Sequence, residues 1–78
     1  MPTILRWNGY RFYFLSNEGH EPPHVDIDKA GRSCKFWLDL VGLSVNRGCA
    51  GHEITEIRAK LIEQQAVFVE AWHEHLRN

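Results

Sequence analysis

The sequence has little of what would specify export, a metal cluster or a membrane anchor. Cys34 and Cys49 are its only cysteines, too few for a disulfide framework and too widely spaced for a zinc-binding pair. No apolar run approaches the ~20 residues that span a bilayer, and the N-terminus lacks a basic stretch followed by an apolar one. We therefore expect a cytosolic protein with no membrane association.

Net charge is nearly absent as well. Nine basic and ten acidic side chains give a formal charge of -1 at pH 7, so no field of the whole protein attracts nucleic acid or anionic lipid, and only a local patch can. Hydrophobic residues make up 44% and charged residues 24% of the chain, which is the composition of a folded protein. The 78 residues predict a single domain, 1–78, too small for a deep buried cleft.

Turn signals divide the first half of the chain into strands. Asn8 and Gly9 both tolerate the positive φ that a type I′ turn requires, and this pair predicts a hairpin. A second turn is predicted at residues 29–32. Alternation of side chains predicts strands at residues 3–7, 10–15, 24–28 and 34–40, while residues 41–45 suit either a fifth strand or a connecting turn.

The second half of the chain changes to helical periodicity and predicts one helix over residues 51–76. Its apolar stripe consists of Ile54, Ile57, Leu61, Phe68, Trp72 and Leu76. A helix of this length would run about 40 Å, so we expect one end to project or to form a homodimer contact. Gln65 interrupts the stripe and is expected either to hydrogen-bond the sheet or to mark where the helix leaves the core.

These elements predict an α+β fold. It consists of an antiparallel, meander-like sheet of four or five strands, with one long C-terminal helix packed across one face.

The densest group of titratable side chains surrounds a double proline. Pro22 and Pro23 fix the backbone entry into the third predicted strand. His24, Asp26 and Asp28 then point to one side of that strand, because side chains alternate. We expect this imidazole and these carboxylates on the open surface of the sheet, and we treat the segment as the candidate site.

Three kinds of function suit this segment. His24 and His20 are candidate general acid and base groups for cleavage of an RNA phosphodiester, because imidazole titrates near neutral pH. His20, His24 and Asp26 are acceptable ligands for a divalent metal, but their spacing specifies no site, so neither a metal nor another cofactor is predicted. The third function is binding of a protein or nucleic acid through surface side chains, for which the candidates are Arg11, Tyr13, Asp26, Arg32, Lys35 and Trp37.

Several segments together resemble one known family. They are YRFYF at 10–14, PPHV at 22–25, KFWLD at 35–39, NRG at 46–48 and AWH at 71–73. These segments are similar to the prokaryotic domain-of-unknown-function family 4160. The resemblance implies a short single-domain protein, encoded beside a second small protein in a toxin-antitoxin-like pair. It implies no established chemistry.

We therefore expect a small component of a two-gene, toxin-antitoxin-like module that binds a protein, encoded nearby, or a nucleic acid. A ribonuclease-like enzyme centred on His24 is the main alternative, and a divalent-metal-binding protein is the second.

Two positions differ from the pattern of that family. Asp26 stands where members carry a second histidine, which argues against an obligatory His-x-His metal site. Ala50 stands where members carry a serine before the helix, so the side-chain hydroxyl that would cap the first turn is missing. We expect a frayed helix start.

Overall fold

The computed structural model, which describes residues 3–15 and 21–77, consists of a sheet followed by helices. The strands are β1 (Thr3–Trp7), β2 (Tyr10–Tyr13), β3 (His24–Lys29), β4 (Arg32–Trp37) and β5 (Gly42–Arg47), and the helices are α1 (Gly51–Glu63) and α2 (Gln65–Arg77). Each strand pairs antiparallel with the next, in the order β1-β2-β3-β4-β5. The predicted α+β meander is confirmed, and the segment left open between strand and turn contributes the fifth strand.

Both predicted turns are present, and each contains two residues with positive φ. Asn8 has φ 55° and Gly9 has φ 83°, as a type I′ turn requires. Ala30 has φ 51° and Gly31 has φ 82°, and the flanking residues pair directly, so this hairpin also has a two-residue loop. As a result β4 begins at Arg32, earlier than the predicted residue 34.

The core lies between the sheet and the helices. Phe12, Val25, Ile27 and Phe36 come from one face of the sheet and are each 0% exposed. The predicted apolar stripe supplies the opposite layer, in which Ile54, Ile57, Leu61, Phe68 and Trp72 are buried. Alternation along the strands therefore leaves the second face of the sheet to polar and aromatic side chains.

The helical region differs from the prediction, because it forms two helices and not one. Gln64 leaves the helical conformation, with φ -109° and ψ 19°. The side-chain Nε2 of Gln65 donates to the carbonyl oxygens of Leu38 and Asp39, both at 2.7 Å. Of the two roles expected for Gln65, it therefore has the first, a hydrogen bond to the sheet region, here to the chain just after β4. The break removes the geometric reason for a projecting helix end, and the homodimer stays a prediction. Neither helix of the described residues is long and apolar enough to cross a bilayer.

A buried carboxylate organises the start of α1. Glu53 is 5% exposed, and its Oε1 accepts a hydrogen bond of 2.9 Å from the backbone N–H of Ala50. Arg32 donates from Nε and Nη2 to the two carboxylate oxygens, at 3.1 and 2.5 Å. Ala50 has no side-chain oxygen, so half of the usual capping box is absent, and the Arg32 contact holds the other half in place. The frayed start that we expected is not what this geometry favours.

The Arg32–Glu53 pair makes stability depend on pH. Hydrogen bonds from Arg32 and from the Ala50 N–H lower the pKa of Glu53 from 4.5 to about 2. A lowered folded-state pKa stabilises the fold fully above the unfolded value, and this contribution is lost as the pH falls toward the folded value. We predict that Glu53→Gln reduces the loss of stability between pH 4.5 and about 2, measured as the urea midpoint at each pH.

Glu63→Gln is the matched control, because Glu63 is exposed and pairs with Lys60 within the same helix. Glu63→Gln should change the loss of stability on acidification less than Glu53→Gln does, since exposed ion pairs contribute little to stability. If the urea midpoints of the wild type and of Glu53→Gln fell equally between pH 4.5 and about 2, the stabilising role of the Arg32–Glu53 pair would be contradicted.

The turn at Ala30 stores backbone strain that one substitution should relieve. An L-alanine in the left-handed region costs about 1 to 2 kcal/mol, whereas asparagine tolerates it. We predict that Ala30→Asn raises the free energy of unfolding by about 0.5 to 1 kcal/mol, measured by urea denaturation. Gly31→Ala should lower the free energy of unfolding, because Gly31 has a φ of 82°, which an L-alanine adopts only with strain. Steric contact does not contribute, since nothing lies within 4 Å of the added Cβ. A lower midpoint for Ala30→Asn would show that this turn carries no relievable strain.

Candidate functional site

The sheet face turned away from the helices carries most of the predicted site residues. Asp26 pairs with Tyr13 on one side and with Lys35 on the other, and His24 pairs with Trp37. Because paired residues project to the same side, these side chains share one surface. We call this surface the open face. It includes Arg6, Arg11, Tyr13, Asp26, Asp28, Lys35, Trp37 and Arg47, with His24 at its end.

Arg32 does not belong to the open face. It is in phase with Cys34 and Phe36, which face the core, and its guanidinium binds Glu53 at the start of α1. The sequence grouped Arg32 with Lys35 because a later start of β4 left its direction undefined. The structure separates it from the other predicted binding residues and assigns it a contact that holds the helix.

Cations and aromatic rings are arranged in pairs on the open face. The guanidinium carbon of Arg11 lies 4.3 Å from the centroid of the Tyr13 ring, and Lys35 Nζ lies 5.1 Å from that of Trp37. Arg11 also donates to Thr3 Oγ1 at 2.9 Å and contacts Asp28 at 3.6 Å. Desolvation, followed by the charge of Asp28, raises the pKa of Tyr13. These contacts hold the cations and rings of this surface in fixed positions.

The imidazole of His24 is enclosed and does not lie on an open surface as we expected. The residue is 4% exposed, and its ring centroid lies 6.0 Å from that of Trp37 and 4.8 Å from that of Trp72. Nδ1 lies 3.0 Å from the carbonyl oxygen of Pro22 and must carry a proton, because a carbonyl oxygen only accepts. The enclosure arises because α2 brings Trp72 to the end of the sheet where β3 begins.

A cavity of about 210 Å³ lies beside this imidazole. The predicted residues His24, Asp26 and Lys35 line it, so the structure brings these three together. It adds four residues that the sequence did not single out, the charged Glu21 and Arg47 and the apolar Leu15 and Val45. Val45 pairs with Lys35 across β4 and β5, so a prediction of the fifth strand would have found this wall.

Asp26 contributes a largely buried carboxylate to the cavity. The residue is 9% exposed, and no described residue is hydrogen-bonded or ion-paired with its carboxylate. Burial raises the pKa of Asp26, although the charges of His24, Lys35 and Arg47 act in the opposite direction. Lys35 is directed elsewhere, since its Nζ lies 3.0 Å from Glu21 Oε1.

The metal interpretation has no complete ligand set in the part of the chain that the structure describes. No three histidine, cysteine or acidic side chains are grouped there so as to hold an ion. His20, the other predicted imidazole, lies outside the described residues. His24 and Asp26 remain as two neighbours on one cavity wall.

Together the fold and the cavity define a small α+β domain in which the described helices pack on one face of the sheet. The sequence profile of one family, described as a domain of unknown function (DUF4160), matches residues 9–73. The chain belongs to this family, as its sequence segments suggested. No curated protein and no solved structure matches the chain.

The enclosed ring predicts a structural role for His24. Replacing His24 with alanine removes ring contacts to two tryptophans and a hydrogen bond to Pro22, and should lower the free energy of unfolding by about 2 to 4 kcal/mol. His24→Asn should cost less, because its amide can still donate to that carbonyl. Urea denaturation measures both. An unchanged midpoint for His24→Ala would contradict the structural role.

Proposed function

We propose that this chain is a protein-binding module that uses its open face, as one component of a two-gene, toxin-antitoxin-like pair. The observation that carries the proposal is the one-sided cover of the sheet. α1 and α2 bury one face, while the other presents half-buried aromatic rings with cations stacked on them. Tryptophan, tyrosine and arginine are the residues that most often anchor protein interfaces. The resemblance of the chain to its family supports the two-gene setting.

The charges of the open face favour a protein over a nucleic acid. Binding to nucleic acid depends on cations that are available to phosphates. Here the two cations that lie on the aromatic rings are already paired, Arg11 with Asp28 and Lys35 with Glu21. Arg6 and Arg47 are the exposed cations of this face that form no ion pair among the described residues. A surface of mixed sign with aromatic rings at its centre matches a protein interface better than a phosphate-binding stripe.

The same geometry gives less support to the ribonuclease alternative. A general acid or base must reach the proton that it transfers. The ring of His24 is 4% exposed and is packed against Trp37 and Trp72, which restricts the access of a substrate to its second nitrogen, Nε2. His24 therefore serves the fold first.

Co-expression with the neighbouring gene product tests the proposal. We predict that Tyr13→Ala and Trp37→Ala each reduce copurification of the partner about 10-fold or more, because each removes an anchor ring from the interface. Arg58→Ala and Ile62→Ala are the controls, since both side chains are exposed on α1, away from the open face. These controls should leave the yield of partner unchanged. Thermal midpoints of all four variants show that the fold is kept.

Two results would overturn the proposal. One is loss of the partner with the α1 variants while the open-face variants retain it. The other is capture of RNA in place of protein, with cleavage of that RNA abolished in a folded His24→Asn variant. The second result would establish the ribonuclease alternative.

A further inference from the structure

The carboxylate of Asp26 faces the cavity without a partner. The residue is nine-tenths buried, and no described residue forms a hydrogen bond or ion pair with its carboxylate, whose oxygens reach the cavity. Buried carboxylates in folded proteins are normally paired or hydrogen-bonded. What this group lacks is a set of N–H donors, and the cavity is the side from which they can come.

The neighbouring charges do not supply these donors. Lys35 Nζ is bonded to Glu21, and His24 Nδ1 is bonded to Pro22. Arg47 is exposed at the rim and forms no ion pair among the described residues. The Lys35–Glu21 pair is internally neutral, and Arg47 balances the charge of Asp26 only from the rim, without a direct contact. The group that would complement the Asp26 carboxylate directly is an N–H donor, and a cationic donor forms the strongest such bond.

Size and lining restrict the form of that cation. A volume of about 210 Å³ is smaller than the roughly 300 to 1,000 Å³ of small-molecule sites. It suits a single long side chain. Leu15 and Val45 provide apolar walls, on which the methylene stem of an arginine or lysine can pack while its charged head reaches a carboxylate. A guanidinium fits best, because it can donate two parallel hydrogen bonds to one carboxylate.

We propose that this cavity is a socket for a basic side chain, preferably arginine, of the protein partner. This inference rests on the proposed function, because the cavity shares Asp26, Lys35 and His24 with the open face. A partner seated on that face passes directly over the cavity. Asp26 then gains the donors that the isolated chain does not provide.

The charge of Arg47 distinguishes a socket for a cation from a site for an anion, because replacing this arginine should change the affinity for the two kinds of ligand in opposite directions. Its positive charge at the rim opposes the entry of a cation and favours the entry of a phosphate or carboxylate. Arg47→Gln should therefore strengthen binding of a basic side chain by about threefold and weaken binding of an anion.

Two small probes of nearly the same shape test the socket without the partner. Arginine amide and citrulline amide differ mainly in the charge and the donors of the head group. We expect arginine amide to produce saturable shifts of the Asp26 and Lys35 amide signals in a 15N-correlation NMR titration, with a dissociation constant on the order of millimolar. Citrulline amide should bind at least about 10-fold more weakly, as should arginine amide to the Asp26→Asn variant.

Equal binding of the two probes would overturn the socket, and so would tighter binding of inorganic phosphate that Arg47→Gln weakens. Neither result depends on the Asp26→Asn variant folding. Failure of the socket is distinguishable from failure of the proposed function. If arginine amide does not bind while copurification still depends on Trp37, only the socket is rejected. If no open-face variant affects copurification, the binding module itself is rejected.

Discussion

The pairing of β3 with β4 is the constraint on which the rest of the structure depends. The two-residue loop at Ala30 and Gly31 fixes the register, so that Asp26 lies opposite Lys35. A slip of one residue would exchange the core face and the open face, because side chains alternate along a strand. The same register directs Arg32 toward Glu53, so one hairpin both builds the open face and anchors the start of α1.

Much of the fold was predictable from the sequence, because turns and the alternation of apolar side chains are local features. Asn8 and Gly9 require a tight turn wherever they occur between two strands, since few other pairs accept two positive φ angles. The alternation around Val25 and the helical stripe around Phe68 each report which side is apolar, and burial of apolar surface is the main driving force of folding. These features depend on neighbours in sequence, and a sequence displays them directly.

Features that depend on distant contacts were not accessible in the same way. The break between α1 and α2 contains no glycine or proline, and the apolar stripe continues across it. What accompanies it is the amide of Gln65, which binds two carbonyls far away in sequence. The burial of His24 likewise requires Trp72, which only the folded chain brings to that end of the sheet. Arg32 was wrongly grouped with Lys35 because the predicted strand began at residue 34. In the structure β4 begins at Arg32, and its side chain lies on the core side of the sheet.

His24 and Asp26 show how burial separates structural from functional titratable groups. Both were predicted as site residues from the same segment, and both line the same cavity. The imidazole has a carbonyl partner and rings on two sides, so enclosing it stabilises the fold. The carboxylate has lost part of its hydration without a direct partner among the described residues, and this carries a free-energy cost.

In a domain this small, such a cost takes up a noticeable share of the net stability. A side chain that removes the cost by entering the cavity binds more favourably for the same reason. In the proposed socket the carboxylate, and not the histidine beside it, is the group that contacts the partner, even though histidine is the residue that first suggests chemistry.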